Sequence, residues 1–339
     1  MGGGSFPPHL ATQRSTHRMS TAVHNSTPYN ALHHRFAVVA AGFVLLLIVV
    51  GALVTSTDSG LSVPDWPTSF GSVYRMPPMT GGVKFEHGHR MLAEFIGLLT
   101  IGVAVFTQKV DRRRWMRILG WSALGTVIAQ GILGGLTVLF YLPPAISTAH
   151  ATLGQTFFCI MVSIAFFTSR SWVQEPAPVV SQSARPRLTT LSLFTVAAIW
   201  MQLIMGAAFR HSGIRLLPHI VGAVVVFCLA STLTLLTIKR HHTTPQLARP
   251  AVILLTLLLV QVSLGLASYV TRVMWSPGAP APLVSMIVST VAHVACGALV
   301  LVTTLILTIQ IHRHALPVPS SEAVANQVEA REVEETVQA

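Results

Sequence analysis

Charge is what this sequence lacks most. Only 10% of its 339 residues are Asp, Glu, Lys or Arg, whereas a water-soluble globule carries about a quarter. That excludes a soluble enzyme of about two domains, the size prior for this length. Carboxylates are the scarcer sign, with 11 Asp and Glu against 22 Lys and Arg and a net charge of +11. Cysteine is nearly absent. The three present, Cys159, Cys228 and Cys296, each fall inside an apolar run without CxxC spacing, which argues against a disulfide framework or a thiolate zinc site. The first 35 residues lack the early apolar core of a signal peptide and read as a flexible cytoplasmic lead.

What the chain has instead is apolar length. Hydrophobic residues make up 52% and the mean hydropathy is +0.63. Runs long enough to cross a bilayer, about 20 residues each, occur near 36–55, 89–108, 117–140, 147–168, 188–208, 217–238, 250–270 and 284–311. They predict an all-α polytopic membrane protein with eight transmembrane helices. When spans alternate, sixteen of the 22 Lys and Arg fall on the side of the N-terminus, among them Lys109, Arg112, Arg113, Arg114, Arg117, Arg185, Arg187, Lys239 and Arg240. Basic residues gathered in short loops are orientation signals, so a bilayer is expected and a nucleic-acid partner is not. The positive-inside rule then puts both termini in the cytoplasm, and the cell (inner) membrane is the expected location. The expected organisation is a flexible segment at 1–35, a four-helix half at 36–168, a cytoplasmic linker at 169–187, a second four-helix half at 188–311, and an acidic tail at 312–339. The one long outer segment, 56–88, is rich in Gly, Pro, Ser and aromatics, and a loop of that length on a compact bundle is usually functional or flexible.

Aligning the odd-numbered spans on their late glycine exposes a repeat. Gln130-x-x-x-Gly134, Gln202-x-x-x-Gly206 and Gln261-x-x-x-Gly265 each precede a turn, and Gly51 holds that place in the first span without the glutamine. Each following even span opens on a histidine, His89, His150, His219 or His293, and three have a glycine one turn on, at Gly154, Gly222 and Gly297. Small residues let neighbouring helices approach closely. Two pseudo-repeated four-helix bundles account for the spacing.

A single histidine in such a place can be a hydrogen-bonded packing residue. Four in register are different, because ionisable residues inside a membrane are costly and mark function. Imidazoles projecting in pairs from facing helices suit axial coordination of haem iron. Zinc would want a carboxylate or thiolate beside each pair, and only Glu86 is near one; a proton pathway would want carboxylates within the spans, and only Glu94 lies clearly inside. The N-terminal ends of the even helices favour anions. Arg90, Arg210, Arg215 and Arg272 lie on that side, either as propionate partners or as interfacial snorkelling residues. Glu86 shares a turn with His89 if the second span extends back that far. There it can relay protons or stabilise positive charge, or simply pair with Arg90. His87 reads as solvent-facing. A b-type electron-transfer cytochrome with two haems would use the same four histidines without Glu86, and a transporter would need broken spans around a midplane site.

Taken together, Gly51-Ala-Leu-Val-Thr55, the segment from Ser59 through Val63-Pro64-Asp65-Trp66-Pro67, Glu86-x-x-His89-Arg90, Thr148-Ala-His150, Pro218-His219 and Ala292-His293 resemble the haem A synthase family. These are membrane oxidoreductases of cytochrome oxidase assembly that turn the C8 methyl group of haem O into the formyl group of haem A by successive hydroxylations. The resemblance implies that Glu86, His89 and His150 are catalytic, with both histidines facing the iron of the substrate haem. It also implies that His219 and His293 ligate a haem B cofactor. Haem O and molecular oxygen would be the reactants and haem A the product. An electron donor that the sequence does not name, a haem O synthase and a second copy of the chain are the candidate partners. There is one departure. Many members carry a cysteine pair in the first outer loop, where this chain has Val63 and Thr68-Ser69-Phe70 and no cysteine.

Overall fold

The computed structural model describes residues 28–73, 75–175 and 187–314. Residues 1–27 of the expected N-terminal lead, 176–186 of the expected linker and 315–339 of the acidic tail lie outside the described residues. Among the described residues eight helices are long and apolar enough to cross a membrane: α1 (Ala31–Ser56), α2 (Val83–Val110), α3 (Arg114–Leu139), α4 (Pro144–Phe167), α5 (Leu188–Arg210), α6 (Leu216–His241), α7 (Pro245–Tyr269) and α8 (Val284–His314). The chain is a multi-pass membrane protein.

Several helix ends differ from the ends of the apolar runs, because local backbone hydrogen bonding and not hydropathy sets where a helix ends. α1 begins at Ala31 rather than 36: Asn30 Oδ1 accepts the His33 amide at 3.0 Å, an N-cap worth about 1 kcal/mol. α2 begins at Val83 rather than 89, with the Gly82 carbonyl accepting the Phe85 and Glu86 amides at 3.0 and 3.1 Å. Glu86 therefore lies within the helix. The expected linker opens with a helical turn, Arg170–Val173, capped by Ser169. α7 runs on into a π-helical turn, Val270–Trp275.

The packing order makes two rings. α1 packs on α2, α2 on α3, α3 on α4 and α4 back on α1; α5 packs on α6, α6 on α7, α7 on α8 and α8 back on α5. Within each ring the two even helices stand diagonally opposite. The rings join where α8 packs on α1 and α4, and α4 on α5. α8 is the central helix, with 61% of its apolar window buried against 17–33% for the other seven. Its Ala298 and Val302 enter the first ring's core beside Ala37, Val44, Ile96 and Met161. Its Val300, Leu307 and Ile311 enter the second beside Ile199, Leu233 and Leu254. Buried hydroxyls bond to their own helix, Thr100 to the Ile96 carbonyl and Thr304 to that of Val300, both at 2.7 Å, as a medium without water requires.

At the end of α2 remote from His89, Arg113 grips Asp111 with two donors, at 3.0 and 2.6 Å, and donates to the Phe167 carbonyl at 3.0 Å. Burial pushes the Asp111 carboxyl up, but the hydrogen bonds and charge of Arg113 prevail and hold it below the usual carboxylate range. One arginine of the basic run thus also fastens the α2–α3 connection to α4.

Candidate functional site

His89, His150, His219 and His293 stand near the N-terminal ends of α2, α4, α6 and α8, at one end of the bundle. In every case the preceding helix presents a glycine to the ring. A Cβ at Gly51 would lie 3.0 Å from His89 Cε1, one at Gly134 3.2 Å from His150 Cε1, one at Gly206 2.9 Å from His219 Cε1, and one at Gly265 3.1 Å from His293 Cε1. A methyl group does not fit at such distances without moving the ring. The recurring glycine thus has a local cause, a notch in which an imidazole lies against the neighbouring backbone.

The His219 and His293 rings have centroids 6.3 Å apart and planes at 81°. A metal bound between two imidazole nitrogens at about 2 Å from each asks for ring centres about 6 Å apart. In the first ring, His150 lies within electrostatic reach of His89. The Nδ1 atoms of His89, His150 and His293 are buried without a hydrogen-bond partner among the described residues. A buried polar atom left so costs about 1–3 kcal/mol, and a ligand that organises the ring relieves that cost. No cluster of three His, Cys, Asp or Glu that could hold a metal ion occurs among the described residues. The His219–His293 pair therefore offers two imidazoles at a separation that suits the two axial positions of a macrocycle-bound iron and not a tetrahedral zinc site.

Glu86 is 4% exposed. Its Oε2 accepts the Val63 amide at 2.8 Å and its Oε1 accepts Arg90 Nη2 at 2.7 Å. Arg90 also donates to the carbonyls of Val63 (3.0 Å), Asp65 (2.7 Å) and Thr68 (3.1 Å). The pair thereby ties the long loop to the first turns of α2. Asp65 folds the loop tip by accepting the amides of Phe70 and Gly71 at 2.7 and 2.8 Å and the Thr68 hydroxyl. Slight burial pushes its carboxyl up, but these hydrogen bonds prevail and hold its pKa at about 2. The Trp66 indole lies on α3, where a side chain at Gly135, next to the Gly134 notch, would overlap it. His87, expected to face solvent, instead has Nδ1 3.0 Å from Ser69 Oγ and holds the same loop.

The four arginines divide. Arg90 is committed to Glu86 and the loop. Arg210 Nη2 donates to the Ala52 carbonyl at 2.7 Å and to Ser56 Oγ at 2.6 Å, and Ser56 Oγ lies 2.9 Å from Thr290 Oγ1, so this side chain joins α5 to α1 and, through Ser56, to α8. Arg272 lies 5.7 Å over the Phe209 ring and reaches the Arg210 carbonyl at 3.5 Å. Arg215 is the exposed N-cap of α6. Among the described residues the ion pairs are those of Arg90 and Arg113, so Arg210, Arg215 and Arg272 have no carboxylate at ion-pair distance. His211 closes the α5–α6 turn. Burial, then the charges of Arg210, His150 and Arg272, push its pKa down to about 4.

A family model described as cytochrome oxidase assembly protein matches residues 34–81 and 83–217, more than half the chain. The chain belongs to the cytochrome oxidase assembly protein family. Among curated relatives, "Heme A synthase" of Shouchella clausii is 29% identical over 187 residues, 54% of this chain and 60% of that protein. "Heme A synthase" of an Exiguobacterium species is 29% identical over 188 residues, 53% of this chain and 60% of that protein. "Heme A synthase" of Lysinibacillus sphaericus is 36% identical over 107 residues, 31% of this chain and 34% of that protein. The chain thus spans about 60% of the length of the first two. The match to the cytochrome oxidase assembly family takes in Glu86, His89, His150 and the loop, and stops at residue 217, before His219 and His293.

Proposed function

We propose that this member of the family is a haem A synthase that oxidises the C8 methyl group of haem O to a formyl group, with a resident haem B between α6 and α8. The observation that carries the reading is the set of four glycine-notched imidazoles, one pair of which has centroids 6.3 Å apart. His219 and His293 would hold haem B, and His89 and His150 the iron of the substrate haem. Haem B supplies one-electron transfer at its iron. Two hydroxylations in succession suffice. Each consumes one dioxygen, two electrons from an external donor and two protons, replaces a C–H bond by C–OH, and releases one water; the resulting hydrate then loses water to leave the aldehyde.

The chain's own residues bind, orient and shield. His89 and His150 would hold the iron of the substrate haem. The Glu86–Arg90 pair holds the Val63–Thr68 loop across the mouth of the first ring, and Trp66 closes it against α3. The Glu86 carboxylate, one turn before His89, stabilises positive charge that develops on the substrate. Arg215 and Arg272, which have no carboxylate at ion-pair distance among the described residues, bind the anionic propionates. The Lys and Arg distribution supports an inner-membrane location with both termini cytoplasmic and the histidine end outside.

The test is haem extraction and mass analysis of the full chain purified from cells that supply haem O. Haem B together with haem A or its hydroxylated precursor is the expected result. Haem B alone would instead make the protein an electron-transfer cytochrome with two b-type haems.

A further inference from the structure

Three of the four hairpins carry a matched pair beneath the histidine. Gln130 stands against Gly154, Gln202 against Gly222 and Gln261 against Gly297. A Cβ at Gly154 would lie 2.9 Å from Gln130 Nε2, one at Gly297 3.3 Å from Gln261 Nε2, and one at Gly222 would overlap the Gln202 amide. The glycine gives the glutamine room to lie across the facing helix and meet the imidazole. Gln202 Nε2 is 3.0 Å from His219 Nδ1 and donates to the His219 carbonyl at 2.8 Å. Gln261 Nε2 is 3.4 Å from His293 Nε2, and Gln130 holds the corresponding place in α3 against Gly154.

The first hairpin departs at both positions at once. Gly51 keeps the notch, but one turn before it stands Leu47 in place of glutamine, and one turn beyond His89 stands Ala93 in place of glycine. Leu47 packs on the apolar core of the first ring, and α1 carries no Asn or Gln to meet the His89 ring. Groups that hold the far side of a ligating imidazole fix its orientation, and losing one weakens metal binding by about 10–100-fold.

We propose that the Leu47–Ala93 pair makes His89 the replaceable ligand, so that the first ring exchanges its tetrapyrrole while the second retains its own. This rests on the function proposed above. An enzyme that modifies one haem with the help of another must admit and release the first and keep the second, so two sites of like construction need a physical difference. Both imidazoles of the second ring are met by an amide; in the first ring only the His150 hairpin carries the glutamine and its facing glycine. Leu47 and Ala93 are thus positioning residues that act through His89.

The full-length chain in lipid nanodiscs, loaded in cells that supply haem O, is mixed with excess apomyoglobin, and transferred haem is resolved chromatographically into B, O and A types. Leu47→Gln with Ala93→Gly should slow release of O- and A-type haem about tenfold and leave haem B release unchanged. The reciprocal Gln261→Leu with Gly297→Ala should speed haem B release by a similar factor, and it carries the test if the first double variant does not fold. Carbon monoxide binding to the reduced protein reads ligand replacement directly. At equal haem occupancy it should fall in Leu47→Gln/Ala93→Gly, which a merely structural role would not produce. Unchanged release and unchanged carbon monoxide binding in the folded variants, with haem content intact, would overturn the proposal and leave the function standing. A parent chain holding no haem O or haem A would overturn the function, and the proposal with it.

Discussion

Arg90 Nη2 lies 2.7 Å from Glu86 Oε1 one turn along α2, and the same guanidinium closes on three carbonyls of the preceding loop. A lysine ammonium can keep the ion pair but cannot span Val63, Asp65 and Thr68 together. On the proposed function, Arg90→Lys should therefore keep its haem yet convert haem O about tenfold more slowly, some 1.4 kcal/mol of barrier. Arg90→Ala leaves Glu86 as a buried, unpaired carboxylate, at a cost of about 3–5 kcal/mol, visible as a lowered thermal midpoint. Product formed per haem-loaded protein, measured alongside limited proteolysis of the loop, checks both. Parent-like turnover by Arg90→Lys would remove the loop from the chemistry.

Glu86→Gln separates charge from shape. The amide oxygen can still accept the Val63 N–H, so the loop stays in place, but the negative charge beside His89 is gone. Conversion should fall about 100-fold or more with haem content unchanged. Full conversion by this variant would leave Glu86 with a purely structural part.

The glycine notches make a sharper test of haem retention. Gly206→Ala would place a methyl group 2.9 Å from His219 Cε1, whereas Gly42 in α1 has nothing within 4 Å of its notional Cβ. The first change should strip haem B selectively, seen as loss of its Soret absorbance. The second, in an open helical position, should be neutral or stabilising, since alanine favours helix over glycine by about 1 kcal/mol. Equal haem content in the two would show that the close approach of Gly206 to His219 is not needed for binding.

Eight spans were legible because a bilayer demands about 20 apolar residues per crossing, and the histidine–glycine register was legible because a close approach restricts residue type. The central position of α8 was not. Its window has the same hydropathy, 2.3, as those of α6 and α7, yet 61% of it is buried against 28% and 17%; in lipid an outward face must be as apolar as an inward one. The commitment of Arg90 to the loop was equally hidden, since its partners there are backbone carbonyls, and a carbonyl carries no residue signature. The place of His87 was hidden for a different reason. Its Ser69 partner lies across a loop whose path is fixed by Asp65, Glu86 and Arg90 together. The glutamines were visible as part of a repeat, but that Gln202 and Gln261 meet imidazoles across facing glycines is seen only in the fold.

His211 gives a pH dependence with a definite sign. Its pKa in the folded chain is pushed down from 6.5 to about 4, first by burial and then by the charges of Arg210, His150 and Arg272. Above pH 6.5 neither folded nor unfolded chain protonates this ring, and it contributes no slope. Between 6.5 and about 4 the unfolded chain binds a proton that the folded chain refuses, so stability falls as pH falls through that window. His211→Gln cannot titrate and should escape this loss. Thermal midpoints of parent and variant in the same detergent should run parallel above about pH 7 and diverge in the variant's favour toward about pH 4.5. Carboxylates that protonate in the same range act on both proteins alike, so the difference isolates the imidazole. Curves that stay parallel down to the acid limit would mean that His211 titrates as freely in the fold as in the unfolded chain, and that the α5–α6 turn is open to water.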